Sequence, residues 1–160
     1  MTFSKYLSAT NRNNYKRRPD IAEKKCSFCD QLSEKRRIIF MTKNFFIAPA
    51  EFPYNVGHIM ICTKRHVIKL SELNEEENKE IFSVIKNTLE VLERAYNTPS
   101  FNVGVNLGAP AGATYEHLHF HIVPRWVGDS GFMELTASTR VLKETADETV
   151  NKLRKMFEEI

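Results

Sequence analysis

Residues His117-Leu118-His119-Phe120-His121-Ile122-Val123 set three imidazoles at alternate positions against Leu118, Phe120 and Ile122. An extended chain turns successive side chains to opposite faces. The spacing therefore predicts a strand over 117–123, with three histidines on one side and an apolar face on the other. Neighbouring imidazoles would lie roughly 6.6 Å apart along it. Pro124 has no N–H for a ladder and is expected to end the strand. A solvent-facing polar strand can use histidine, but serine, threonine or lysine would serve as well. The chain has only five histidines, the other two being His58 and His66. Two chemical readings stand beside the bland one. A His-x-His pair on a strand can grip a zinc ion. A neutral imidazole, with an unperturbed pKa of about 6.5, can also serve as nucleophile or acid–base group on a phosphate ester or anhydride.

The segment upstream favours the phosphate reading. Phe101, Val103, Val105 and Leu107 alternate with Asn102, Gly104 and Asn106, which predicts a second strand over 101–107. Between the two strands, Gly108-Ala-Pro-Ala-Gly-Ala-Thr114 is built of small residues. Alone it reads as a connecting turn. Before aligned imidazoles it reads as a loop whose backbone N–H groups, around Gly112 and Ala113, can approach an anion. Thr114 adds a hydroxyl and Asn106 an amide.

Further out, the apolar runs 38–41 and 45–49, split by Thr42-Lys43-Asn44, predict a hairpin, and 58–62 predicts another strand. Asn74 followed by Glu75, Glu76 and Glu77 is a capping pattern. It opens a helix over 74–96, with Ile81, Val84, Ile85, Leu89 and Leu92 at helical spacing and Pro99 beyond its end. A second helix is expected from about 139 to 159 on Leu142, Ala146, Val150, Leu153 and Phe157. The sum is an α+β domain: an antiparallel sheet of about five strands with two main helices on one side.

Composition sets the outer bounds. At 160 residues, 42% hydrophobic and 27% charged, the chain fits one globular domain that needs no disulfide staple. Disorder, collagen-like repeats and coiled coils are excluded. No apolar run reaches the roughly 18 residues of a membrane span, and the first residues lack the apolar stretch of a secretory leader. A cytoplasmic protein is expected. The three cysteines include Cys26-Ser-Phe-Cys29, which in that setting reads as a metal knuckle or a redox pair. Residues 1–37 carry a net charge of +6 within a total of +3. Residues 1–25 are accordingly read as a basic N-terminal arm, either a solvated tail or a contact for an acidic ligand or nucleic acid.

The motif at 117–123 fits the His-φ-His-φ-His-φ-φ signature of the histidine triad (HIT) superfamily of nucleotidyl hydrolases and transferases. Asn106–Thr114 resembles its phosphate loop. Gly57-His58-Ile-Met-Ile, with Thr-Lys-Arg-His66 after it, resembles its Gly-His strand and the trailing Pro-Lys-x-His. The resemblance spans roughly residues 26–133 and implies a single HIT domain over 26–160. Pro124-Arg-Trp126-Val-Gly-Asp129 is similar to the branch containing diadenosine tetraphosphate phosphorylases and hydrolases.

The resemblance implies roles. His119 is the nucleophile that carries a nucleotidyl group. His121 and Thr114 bind phosphoryl oxygens. Asn106 and the Gly112–Ala113 region position the phosphate, and His58 orients the triad. Trp126 and Phe132 are aromatic candidates for a base or a dimer contact, with core packing as the alternative. Cys26, Cys29, His66 and His117 match the family's structural zinc ligands, a sensible Cys2His2 set. Cys62 is then a buried small hydrophobe. A homodimer and an adenine nucleotide or dinucleoside polyphosphate substrate are implied. The alternatives are a zinc-stabilised nucleotide-binding or interaction module with little turnover, a nucleoside phosphoramidate hydrolase, and a catalytic zinc on the triad itself. One position departs from the pattern. Where the family often has Asp or Asn contacting the ribose, eight residues before His58, this chain has Ala50, with Glu51 next to it.

Overall fold

The computed structural model describes residues 26–129, 131, 132, 136 and 143–159. The expected basic arm over 1–25 lies outside the described residues. Five strands form one antiparallel sheet: β1 (Phe40–Met41), β2 (Phe45–Pro49), β3 (Ile59–Thr63), β4 (Ser100–Val105) and β5 (His119–Arg125), in the order β1-β2-β3-β5-β4. Three α-helices are described: α1 (Ser27–Ser33), α2 (Glu75–Tyr96) and α3 (Ala146–Phe157).

The expected α+β class and the five antiparallel strands are present. α2 starts where the sequence places it. Asn74 Oδ1 accepts from the Glu77 N–H at 2.9 Å, and Glu77 Oε2 accepts from the Asn74 N–H at 2.8 Å. The second long helix begins later than expected, at Ala146, because Thr145 and Glu148 form a capping box of their own. The expected turn around Leu142 falls outside the described residues.

Period-2 parity sorts the sheet's two faces. Phe45, Ile47, Ile59, Ile61 and Ile122 pack against Ile81, Val84, Val91 and Leu92 of α2 and Val150, Leu153 and Phe157 of α3. On the other face Phe46, Ala48, Met60 and Cys62 pack with Phe28 of α1. β2 and β3 are thus buried on both sides, which explains their unbroken apolar runs. Cys62 is fully buried among apolar neighbours, as expected.

Pro124 does not end β5; it lies within the strand, opposite Phe101 of β4. β3 begins at Ile59, opposite Ile122, so β5 has no β3 partner beyond that point. The Pro124 carbonyl there accepts from Asn55 Nδ2 at 3.1 Å, and the missing N–H breaks no ladder bond.

Candidate functional site

β3 and β5 run side by side with Met60 opposite His121 and Cys62 opposite His119. Parity puts both imidazoles on the face away from α2 and α3. Their rings meet edge to face with centroids 4.8 Å apart. His117 lies just before β5, and its Nδ1 is 3.3 Å from Cys26 Sγ and 3.7 Å from Cys29 Sγ. The three histidines therefore do not share one row: His119 and His121 form one pair, while His117 joins a second cluster.

Hydrogen bonds fix each ring's tautomer. A carbonyl only accepts, so His119 Nδ1 donates to the His117 carbonyl at 2.7 Å and its Nε2 holds the lone pair. The Tyr54 N–H donates to His58 Nδ1 at 2.9 Å, which leaves the proton of neutral His58 on Nε2. That nitrogen donates to His121 Nδ1 at 3.0 Å, and His121 in turn carries its proton on Nε2. The Tyr54 ring stacks on His58, 4.8 Å between centroids and 15° from parallel. Gly57 holds the chain at φ +71°, and a Cβ there would sit 2.6 Å from the Tyr96 ring, so only glycine fits before His58. Burial pushes the His119 ring below the usual histidine range, partly offset by its bond to the His117 carbonyl. The result is a neutral imidazole with an available Nε2 beside a ring that carries N–H on Nε2, an arrangement able to attack phosphorus and to donate to an oxygen.

His58 is pushed down to about 3, first by burial and then by His121 and His119. Between about pH 6.5 and 3 the unfolded chain therefore takes up a proton that the folded chain refuses. Stability from this group is full above about pH 6.5 and falls as the pH drops through that window, by on the order of 1 kcal/mol per unit. We expect His58→Asn to flatten the slope of unfolding free energy against pH, measured by urea titration from pH 6.5 to 4.5. Acid effects on the cysteine–histidine cluster are common to both proteins, so the difference between slopes isolates His58. Identical slopes would contradict a buried neutral ring.

The second cluster gathers Cys26, Cys29, His66 and His117, whose candidate ligand atoms all lie within 4.8 Å of one another. His117 Nε2 donates to the Thr63 carbonyl at 2.7 Å, which turns the Nδ1 lone pair toward the thiols. His66 Nδ1 is 3.5 Å from Cys29 Sγ. His66 is presented by the turn after β3, which is anchored when Arg65 donates through Nε and Nη2 to buried Glu77 at 3.2 and 2.7 Å. Burial and the adjacent Cys26 thiol push the Cys29 thiol up to about 11. Paired thiols with two inward imidazole nitrogens suit a thiophilic dication, whose charge favours the thiolates.

The small-residue loop differs from expectation. A 3₁₀ turn over Ala109–Ala111 with Pro110 inside it, flanked by Gly108 at φ +80° and Gly112 at φ +90°, folds the loop onto itself. The N–H groups of Ala111 and Ala113 donate to the Gly108 carbonyl, and that of Gly112 donates to Ala109. The Gly112 and Ala113 amides are therefore engaged within the loop. Asn106 Nδ2 reaches the Gly112 carbonyl at 3.5 Å, and Thr114 is exposed. Asn106 and His121 line a cavity of about 280 Å³ with Tyr54, Asn102, Gly104 and Arg125.

Trp126 lies elsewhere. It follows β5 with the parity of Ile122 and Pro124 and packs edge to face on Tyr96 of α2, 6.4 Å between centroids. It belongs to the helix side of the sheet, as in the packing alternative. Phe132 is exposed. The sequence reading missed the roles of Phe28 and Tyr115, whose ring centroids lie 5.1 and 6.1 Å from that of His119. It also gave Tyr54 no role. None of the three belongs to a periodic pattern that could have marked it.

A family model described as "HIT domain" matches residues 31–127. The chain is 33% identical over 121 residues to a Mycobacterium tuberculosis protein named AP-4-A phosphorylase, covering 74% of this chain and 62% of that protein. It is 31% identical over 94 residues to the bis(5'-adenosyl)-triphosphatase of Dictyostelium discoideum, covering 59% and 63% respectively. The chain thus matches under two thirds of the length of each. Among solved structures, a zinc-bound histidine triad family protein from Mycobacterium smegmatis shares the fold. Its TM-score is 0.69 at 24% identity, covering 84% of this chain and 94% of that one.

Proposed function

Because the chain belongs to the HIT domain family, we propose that it is a nucleotidyl hydrolase or transferase that cleaves at the α-phosphate of adenine nucleotides. Dinucleoside polyphosphates such as diadenosine tetraphosphate are the first substrate class. The observation that carries this reading is the tautomer chain, which leaves a lone pair on His119 Nε2 and an N–H on His121 Nε2. The names of the two enzyme relatives support the substrate class.

In the first half-reaction His119 Nε2 forms a bond to the α-phosphorus while the bond to the bridging oxygen breaks. The displaced group, ATP when the substrate is diadenosine tetraphosphate, leaves with that electron pair. The ring gains positive character, which its Nδ1–H spreads onto the His117 carbonyl. His121 Nε2–H, the Asn106 amide and the Thr114 hydroxyl serve the phosphoryl oxygens. In the second half-reaction an oxygen of water or inorganic phosphate attacks the same phosphorus and loses its proton to solvent. The N–P bond breaks, its electron pair returns to Nε2, and AMP or ADP departs.

Cys26, Cys29, His66 and His117 would hold a zinc ion with a purely structural part, pinning α1 and the turn after β3 to the start of β5. The implied homodimer has support in two exposed apolar side chains, Val103 on the edge strand β4 and Phe82 on α2. No helix among the described residues is long and apolar enough to cross a membrane.

The test is a product assay on diadenosine tetraphosphate with and without phosphate. Hydrolysis gives AMP, phosphorolysis gives ADP, and both are expected to cut beside an α-phosphate. Binding without any product would favour the zinc-stabilised binding module instead.

A further inference from the structure

The turn that carries His58 is backed, from the helix side of the sheet, by a side chain that takes no part in the phosphate chemistry. His58 Nε2 donates to His121 Nδ1 at 3.0 Å, and that bond leaves the His121 proton on Nε2. Tyr54 holds the His58 ring through its N–H and by stacking. The turn holds the backbone. The His58 N–H donates to the Asn55 carbonyl at 3.2 Å, and the His58 carbonyl accepts from the Ala50 N–H at 3.0 Å. Behind the turn lies Tyr96, the last residue of α2. Its ring covers Gly57 so closely that an added Cβ would stand 2.6 Å from both Cε2 and Cζ. Close packing of this kind leaves the turn no room to retreat.

Tyr96 is itself fixed. Its hydroxyl donates to Glu144 Oε1 at 2.5 Å, the Thr149 hydroxyl donates to the same oxygen at 2.6 Å, and the Lys152 ammonium pairs with Oε2. Lys152 Nζ also lies 4.4 Å from the centre of the Tyr96 ring, and Trp126 meets that ring edge to face. The Glu144 side chain is only 10% exposed, so its charge depends on these donors. Ending α2 requires none of this, because Asn97 closes the helix at a left-handed φ of 48°. An apolar ring would seal the core equally well. The hydroxyl and its carboxylate acceptor add a fixed place for the ring.

We infer that Tyr96, anchored by Glu144, is a positioning residue for the imidazole pair: it backs the Gly57–His58 turn and so keeps His58 Nε2 within reach of His121 Nδ1. Tyr96 packs with the core on the helix side, opposite His119 and His121, and acts only through His58. Its effect on turnover rests on the nucleotide reading above. Its effect on the His58–His121 bond does not.

NMR on protein isotope-labelled at the histidine nitrogens reads that bond directly, as a scalar coupling between the two nitrogens that only folded molecules show. Wild type is expected to show it. Tyr96→Leu removes ring and hydroxyl. It is expected to lose the coupling, with kcat for diadenosine tetraphosphate down about 10-fold and KM within about twofold of wild type. Tyr96→Phe keeps the ring but frees it from Glu144. A weakened coupling and a fall in kcat of about twofold to threefold are expected. Loss of folded protein alone would lower kcat and leave the coupling of the folded molecules unchanged. If Tyr96→Leu does not fold, Tyr96→Phe decides. No coupling in wild type, or a coupling or a kcat equal to wild type in the deciding variant, overturns the inference. A wild type that shows the coupling but turns over no dinucleotide overturns the nucleotide reading, and the coupling in the variants then decides the positioning role alone.

Discussion

His119→Ala and His119→Asn are expected to abolish the proposed nucleotidyl transfer, with turnover of diadenosine tetraphosphate falling by about 10⁴-fold or more. The proposed reaction runs through one nitrogen, Nε2 of His119, and no neighbouring group takes its place. His117 is directed at the thiols, His58 is saturated between Tyr54 and His121, and His121 carries its proton on Nε2. Asparagine is the sharper variant, because its amide can still donate to the His117 carbonyl while offering no nucleophile. His121→Ala retains the nucleophile and removes an N–H donor, so a smaller loss of about 10²- to 10³-fold is expected. Steady-state rates on purified, folded variants check both numbers. His119→Asn turning over within tenfold of wild type would remove the covalent mechanism.

Loss of the proposed zinc ion is the second large effect expected. The cluster ties Cys26 to His117, 91 residues apart in sequence, through residues that belong to three separate segments. α1 has only seven residues and cannot hold a helical form alone. Phe28, between the two cysteines, packs on Phe46, Tyr115, His117 and His119. Releasing the cluster is therefore expected to loosen the packing of Phe28 against His119, on one side of the proposed nucleophile. Several kcal/mol of folding energy are at stake. The expected result of chelation, or of Cys29→Ser, is a fall of about 10 °C or more in the thermal midpoint. Zinc should be released at about one ion per chain. Below the lowered midpoint, turnover is expected to persist at a reduced rate. An unchanged midpoint, or no releasable metal, would contradict the structural site. Complete loss of turnover in a still-folded, metal-free chain would favour a metal on the triad.

Much of the arrangement could be read from residue pattern alone, because strand parity and helix capping are local rules. Alternation placed His119 and His121 on the face opposite Phe120 and Ile122, and Asn74 with Glu77 marked the start of α2. The resemblance to the family's zinc ligands implied a quartet of Cys26, Cys29, His66 and His117, and the fold brings these four together. The misses come from long-range context. Pro124 stays in β5 because β3 starts only at Ile59. Trp126 goes to the helix side by the same parity rule that positions the histidines, because β5 continues through the proline. The Gly112 and Ala113 amides turn inward because a 3₁₀ turn forms around Pro110, and composition shows only that such a loop is small, not where its N–H groups aim. Thr145 and Glu148 formed a readable capping box that the apolar stripe of α3 overshadowed. The seven residues of α1, and the contact from Tyr115 to Glu51, carry no periodic signal at all.

The covalent intermediate is the centre of the account, and it can be trapped directly. Diadenosine tetraphosphate radiolabelled at the α-phosphorus is mixed with wild type and quenched in alkali, where an N–P bond survives, and the labelled peptide is mapped. The label is expected on the Nε2 of His119, to disappear on a chase with phosphate or water, and to be missing from His119→Asn. Full turnover with no label on His119, or with the label on a different residue, would contradict it.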